Sequence, residues 1–238
     1  MRMLSSGSFM SKQPILVFDV NETLLDLESL SPLFDRMFGD RYVMREWFAQ
    51  VILYSQSLTL TADYADFGVL GAAVLKMLGQ VKRVEIRSGD LLDLKDAMAH
   101  LLPHEDVPQS LERLKQAGFR MVTLTNNAKA TTVAQLEHGG LASSFERIFS
   151  VDEQVQRYKP ARECYEYVAN AMGVAAADCL LIACHNWDTM GAASAGMRCA
   201  LLMRTGNAPL QVGRQADFVG ADLAAVVNWL LSTGTGTE

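Results

Sequence analysis

The chain has 238 residues, half of them hydrophobic and a fifth charged, and carries a net charge of −6. That is enough for one large core, or for a core with a substantial insertion. The acidic balance excludes nucleic acid and anionic membrane surfaces as partners, and no apolar run approaches the ~18 residues of a membrane span.

Met1 to Gln13 is polar, with Ser5, Ser6, Gly7 and Ser8, and lacks the apolar stretch and small-residue cleavage site of a secretory signal. Residues 1–13 are therefore expected to form a loose tail. Ile15-Leu16-Val17-Phe18 then runs straight into Asp19. Four apolar, partly β-branched residues predict a strand buried on both faces in a parallel sheet. Asp19 falls at its carboxyl end, where open α/β sheets hold their ligands. A carboxylate fixed there is a natural nucleophile for a covalent ester; the plainer reading is an Asp that caps a following helix.

From Leu27 to Leu102 the pattern is helical. Trp47, Val51, Tyr54 and Leu58 recur at helical spacing, as do Phe67, Leu70, Val74 and Met77, with Gly39-Asp40 as a turn. Pro103-His104 and Pro108 close the block. Strands and helices alternate afterwards: a helix from Pro108 to Gly118, a strand from Arg120 to Thr125, a helix from Ala128 to His138, and a short strand from Ile148 to Val151. Pro160 opens a helix to about Met172, and Leu180 to Ala183 is a strand. The loop Cys184-His185-Asn186-Trp187 leads to a helix from Asp188 to Gly196, a strand from Cys199 to Met203, and a last helix from about Leu223 to Leu231. This alternation predicts an α/β fold, a doubly wound parallel sheet with helices on both faces. Residues 14–26 and 105–238 would form the core, and 27–104 an inserted helical cap. Cys164, Cys179, Cys184 and Cys199 lack metal-ligand spacing, two of them in strand-like runs, which makes the cytoplasm the expected compartment.

Polar residues stand at four strand ends: Asp19, Thr125-Asn126, Lys159, and His185 with Asp188. In a doubly wound sheet these ends share one rim, so the four can converge on one pocket. In that order, with a helical insert after the first, they resemble the haloacid dehalogenase superfamily, and within it the 2-haloacid dehalogenases of the second type. The resemblance runs from Ile15 to about Leu231. Phe18-Asp19 with Thr23-Leu24 looks like the first motif, Leu124-Thr125-Asn126 the second, Tyr158-Lys159-Pro160 with Tyr165 the third, and Asn186-Trp187-Asp188 with Gly191-Ala192 the fourth. Arg204-Thr205-Gly206-Asn207 fits as well.

By that resemblance Asp19 attacks C2 of a small carboxylic acid, and water opens the aspartyl ester. Lys159 steadies Asp19, Thr125 and Asn126 hold the substrate carboxylate, Asp188 places or activates water, and Trp187 and Phe67 wall the pocket. Asn21, Thr23, Phe48 and Tyr54 complete the expected binding set. No cofactor is implied; a homodimer through the helical portion is. The superfamily's phosphatases carry a second Asp two residues after the nucleophile, where this chain has Asn21. They also carry a metal-binding carboxylate where it has Cys184. Mg²⁺ requires hard oxygen ligands, so no metal and no phosphatase chemistry are expected.

Three departures from the dehalogenases bear on the leaving group. Their halide-receiving Arg follows a Trp; here Trp47 is followed by Phe48. Their Gly before the Thr is Glu22, and the loop that offers Ser and Asn carries Ala183 and His185. An anion receptor is lost, while a carboxylate and a proton donor are gained. These changes suit a leaving amine, and in them the chain resembles the hydrolases that open the ring of L-azetidine-2-carboxylate to a 4-amino-2-hydroxy acid; by that resemblance Glu22 or His185 binds or protonates the nitrogen. The alternative is an (S)-2-haloacid dehalogenase. A binding module that has lost its chemistry is less expected, as is a phosphatase. On the plainest reading Glu22 caps a helix and points to solvent, and His185 only fills space.

Overall fold

The computed structural model describes residues 13–234. The expected tail at 1–13 therefore lies, except for Gln13, outside the described residues. Six strands form one parallel sheet in the order β3-β2-β1-β4-β5-β6: β1 Ile15–Phe18, β2 Met121–Thr125, β3 Arg147–Ser150, β4 Cys179–Ala183, β5 Arg198–Leu202 and β6 Phe218–Gly220. The strands β1, β2 and β4 are buried along their whole length, as apolar runs covered on both faces must be. The chain builds one side of the sheet from β1 outward, then returns to β1 and builds the other. The order thus switches between β1 and β4, and a crevice opens beyond their carboxyl ends.

The helices of the alternating part are α5 Val107–Gln116, α6 Lys129–His138, α7 Arg162–Met172, α8 Asn186–Ser194 and α9 Leu223–Gly234. Three differences from the sequence reading stand out. Strand β6, three residues at the sheet edge, has too short an apolar run to be seen in the sequence. Helix α7 starts at Arg162, two residues after Pro160. Helix α8 starts at Asn186, so Asn186 and Trp187 lie in its first turn and not in a loop.

Between β1 and α5 the chain makes a 3₁₀ turn, Leu27–Leu30, and four helices: α1 Ser31–Phe38, α2 Val43–Leu60, α3 Phe67–Lys82 and α4 Ser88–Ala99. Gly39, at φ +68°, ends α1 at the expected turn. Asp66 caps α3 by accepting from the amides of Gly68 and Val69. Trp47 of α2 donates to the Gly71 carbonyl at 2.9 Å, and a Cβ at Gly71 would stand 3.2 Å from its ring. The buried stripe of α2 advances in steps of four, through Trp47, Val51, Ser55 and Thr59. It therefore carries Ser55 inward and leaves Tyr54 39% exposed. The helices are tied to the sheet by Tyr158, whose amide donates to Thr59 Oγ1 at 2.9 Å and whose hydroxyl donates to the Ala65 carbonyl.

Candidate active site

The crevice beyond β1 and β4 contains a small cleft, part open to solvent, lined by Asp19, Asn21, Phe48, Ile52, Phe67, Thr125, Asn126, Asn127, His185 and Trp187. Its floor is the end of the sheet, and its roof is α2 and the start of α3. The floor holds a closed ionic group. Lys159, wholly buried, donates to Asp19 Oδ1 at 2.8 Å, to Asp188 Oδ2 at 2.6 Å and to the Leu124 carbonyl at 3.0 Å. Asp188 Oδ1 accepts from the Tyr165 hydroxyl at 2.6 Å. Asp19 Oδ2 accepts from the Thr23 hydroxyl at 2.6 Å, and Thr23 Oγ1 in turn accepts from the Cys184 amide at 3.0 Å.

Two carboxylates share one ammonium here, and their surroundings divide them. Burial opposes the charge on Asp19, but Lys159 and His185 outweigh it and hold this carboxyl below the usual carboxylate range. Burial dominates at Asp188 and pushes its pKa up. Lys159 is held cationic against burial by Asp188 and Asp19. Asp19 is therefore the ionised carboxylate that faces the cleft, oriented on both oxygens, which is what nucleophilic chemistry at this position would require.

A second group lies beside the first. His185 Nδ1 is 3.8 Å from Asp19 Oδ2, while Nε2 meets Glu22 Oε2 at 2.6 Å. The ring stacks on Trp187, with centroids 5.0 Å apart and planes at 21°, and packs against Phe48 at 5.7 Å. Burial would discharge the imidazole, but Cys184 and Asp19 push it up to about 10. Glu22 is 3% exposed, so it does not point to solvent. Its backbone has φ +66°, a region costly for any residue but Gly. Arg45, on α2, donates to Glu22 Oε1, to Glu28 Oε1 at 2.6 Å and to the Thr205 carbonyl at 2.8 Å.

Among the remaining expected residues, Thr125, Asn126, Phe48, Phe67, Asn21 and Trp187 line the cleft. Asn126 Oδ1 accepts from the Lys159 amide at 3.0 Å, and its Nδ2 is buried without a hydrogen-bond partner among the described residues. Thr23 and Asp188 stand behind Asp19 and Lys159 and are not part of the lining; Glu22 stands behind His185, and Tyr54 lies outside. Ile52 and Asn127 line the cleft although neither belongs to the expected motifs. Sequence reasoning also missed Arg45, although it precedes Phe48 by three residues and so shares its helix face.

Asp19, Cys184 and His185 offer ligand atoms within 4.8 Å of one another. One carboxylate, one thiol and one imidazole do not match the all-oxygen shell that Mg²⁺ demands. Among the described residues no helix is long and apolar enough to cross a membrane.

Residues 14–196 match the model of the haloacid dehalogenase-like hydrolases. The chain is 29% identical over 223 residues to the (S)-2-haloacid dehalogenase of Pseudomonas sp. (strain YL), covering 93% of this chain and 95% of that one. It is 31% identical over 192 residues to the (S)-2-haloacid dehalogenase of Xanthobacter autotrophicus, covering 79% and 74%. The structure of the L-2-haloacid dehalogenase from Xanthobacter autotrophicus with chloropropionic acid covalently bound superposes with a TM-score of 0.84 at 25% identity, over 94% of this chain and all of that one.

Proposed function

The chain belongs to the haloacid dehalogenase-like hydrolases, and from that premise we propose that it hydrolyses a small 2-substituted carboxylic acid at C2 through an ester on Asp19, without a metal. The observation that carries this reading is the Asp19 carboxylate itself, ionised, facing the cleft and held by Lys159 and Thr23. Thr125, Asn126 and Asn127 supply hydroxyl and amide groups on one wall, and the free Asn126 Nδ2 is the donor left for the substrate carboxylate. Asp19 attacks C2 and the leaving group departs with its electron pair. Water then attacks the ester carbonyl, freeing the 2-hydroxy acid and restoring Asp19. Asp188 acts through Lys159, which it orients, and the residues over the cleft, 27–104, serve as a cap.

The substrate we favour is L-azetidine-2-carboxylate, opened to 4-amino-2-hydroxybutyrate. Phe48, Trp187 and Phe67 turn aromatic faces toward the cleft, and the negative face of a ring disfavours an anionic leaving group while it accepts an uncharged ring nitrogen. His185 carries a proton to give to the departing nitrogen, a role worth about 10²–10⁴-fold in rate. The same protonated ring favours a second reading, an (S)-2-haloacid substrate whose halide leaves against the imidazolium; this is the activity for which the relatives are named.

Purified protein offered L-azetidine-2-carboxylate and (S)-2-chloropropionate in heavy-oxygen water decides among these. We expect the amino hydroxy acid as product, at a kcat/KM at least about tenfold above that for chloride release, and heavy oxygen in Asp19 by mass spectrometry after many turnovers. Chloride release without ring opening sinks the amine reading. Turnover with no label in Asp19 sinks the ester.

A further inference from the structure

The cleft accounts for His185 and Asp19, but not for the guanidinium behind them. Arg45 is half-buried and reaches three segments at once: Glu22 in the turn after β1, Glu28 in the 3₁₀ turn, and the carbonyl of Thr205 in the loop after β5. Its terminal nitrogens lie 3.3–3.4 Å from where a Cβ on Gly206 would stand, and Gly206 has φ +84°, so this loop is shaped to receive it. Arg45 and Phe48 are three residues apart on α2, and Phe48 packs on the His185 ring. One face of α2 thus touches the imidazole directly through Phe48 and indirectly through Arg45 and Glu22.

We propose that Arg45 is a positioning residue that holds Glu22, and through Glu22 holds the His185 ring with Nδ1 turned toward Asp19. Glu22 Oε1 belongs to Arg45 and Oε2 to His185, so the carboxylate is gripped at both ends. A carboxylate with one end free rotates, and the imidazole bonded to the other end rotates with it. This rests on the reading of Asp19 as nucleophile. The proton passes from His185 Nδ1 to the departing nitrogen as the C2–N bond breaks and the Asp19–C2 bond forms; it returns to Nδ1 from the water that opens the ester. The other charged and titratable groups that bear on the pair are Asp19 and Cys184 beside His185, Lys159 beyond Asp19, and Glu28 beyond Arg45. His104 Nε2 is 2.9 Å from the Glu22 carbonyl.

The test compares Arg45→Met and Arg45→Lys with the wild type, following the His185 ring nitrogens by NMR across pH and measuring kcat and KM on L-azetidine-2-carboxylate. Arg45→Met removes a positive charge near the pair. With one end of Glu22 released, the His185 ring-nitrogen resonances should shift and broaden as the ring leaves its single orientation, while kcat falls about tenfold or more and KM changes less than about twofold. Arg45→Lys keeps the charge without the fork; it should titrate as the wild type and recover part of kcat. Arg45→Gln replaces Arg45→Met if the latter does not fold. Unmoved His185 resonances in the neutral variant overturn the proposal, whatever kcat does. The resonances remain readable if L-azetidine-2-carboxylate is not turned over, so a failed substrate assignment and a failed role for Arg45 give different results.

Discussion

The two ionic groups that meet at Asp19 are built differently. The first, Asp19 with Lys159, Asp188, Thr23 and Tyr165, comes entirely from the sheet and the segments that follow its strands. Lys159 and Asp188 have no exposed side-chain surface. The second, Glu22 with His185, Arg45 and Glu28, spans sheet and helices, and its Arg45 and Glu28 side chains are 30% and 35% exposed. A group wholly in low dielectric is costly to break, because the partner left behind has no water to turn to. In a group with one foot in solvent, water screens part of what is left behind, so the loss on breaking it is smaller. On the function proposed above, the first group serves the ester chemistry and the second the leaving group.

The contrast is tested hardest at Lys159. Lys159→Met strands two buried carboxylates and should cost about 3–5 kcal/mol in a urea unfolding experiment. A loss under about 1 kcal/mol would mean the group is wetter than its geometry implies. Glu22→Gln, nearly the same shape, should cost about 1–3 kcal/mol, because Arg45 keeps Glu28 and Thr205. If it costs more than Lys159→Met, the ranking of the two groups is inverted. A third test is pH. His185 binds its proton more tightly when folded, with a pKa up from 6.5 to about 10. Its contribution is complete below about pH 6.5 and lost as pH climbs through about 10. Wild-type stability should therefore decline across that window relative to His185→Asn; parallel curves would mean the ring is neutral.

Much of this was legible in the chain. Strands buried on both faces announce themselves as apolar runs, and a doubly wound sheet brings their carboxyl ends together, so Asp19, Thr125, Asn126, Lys159, His185 and Asp188 converge as their order implies. What failed to show depends on rotation and handedness. Tyr54 looked inward by spacing, but the stripe of α2 advances by fours and turns it out. For Glu22 the sequence leaves a site carboxylate and a surface cap both open, because no sequence states the sign of its φ, nor that a guanidinium 23 residues on would meet it. Thr23 carries a motif's hydroxyl, but spends it on Asp19.

The left-handed backbone at Glu22 also bears on how such a site can change. Glycine would relieve about 1–2 kcal/mol of steric cost at that position, yet the chain carries glutamate. Taking the carboxylate away alone leaves Arg45 and a protonated His185 as two cations converging on an empty place, and adding it without them buries a lone anion. Residues 22, 45 and 185 should show strong epistasis, non-additive by about 0.5–3 kcal/mol, and a lineage that exchanges one leaving group for another must cross that valley with all three in step.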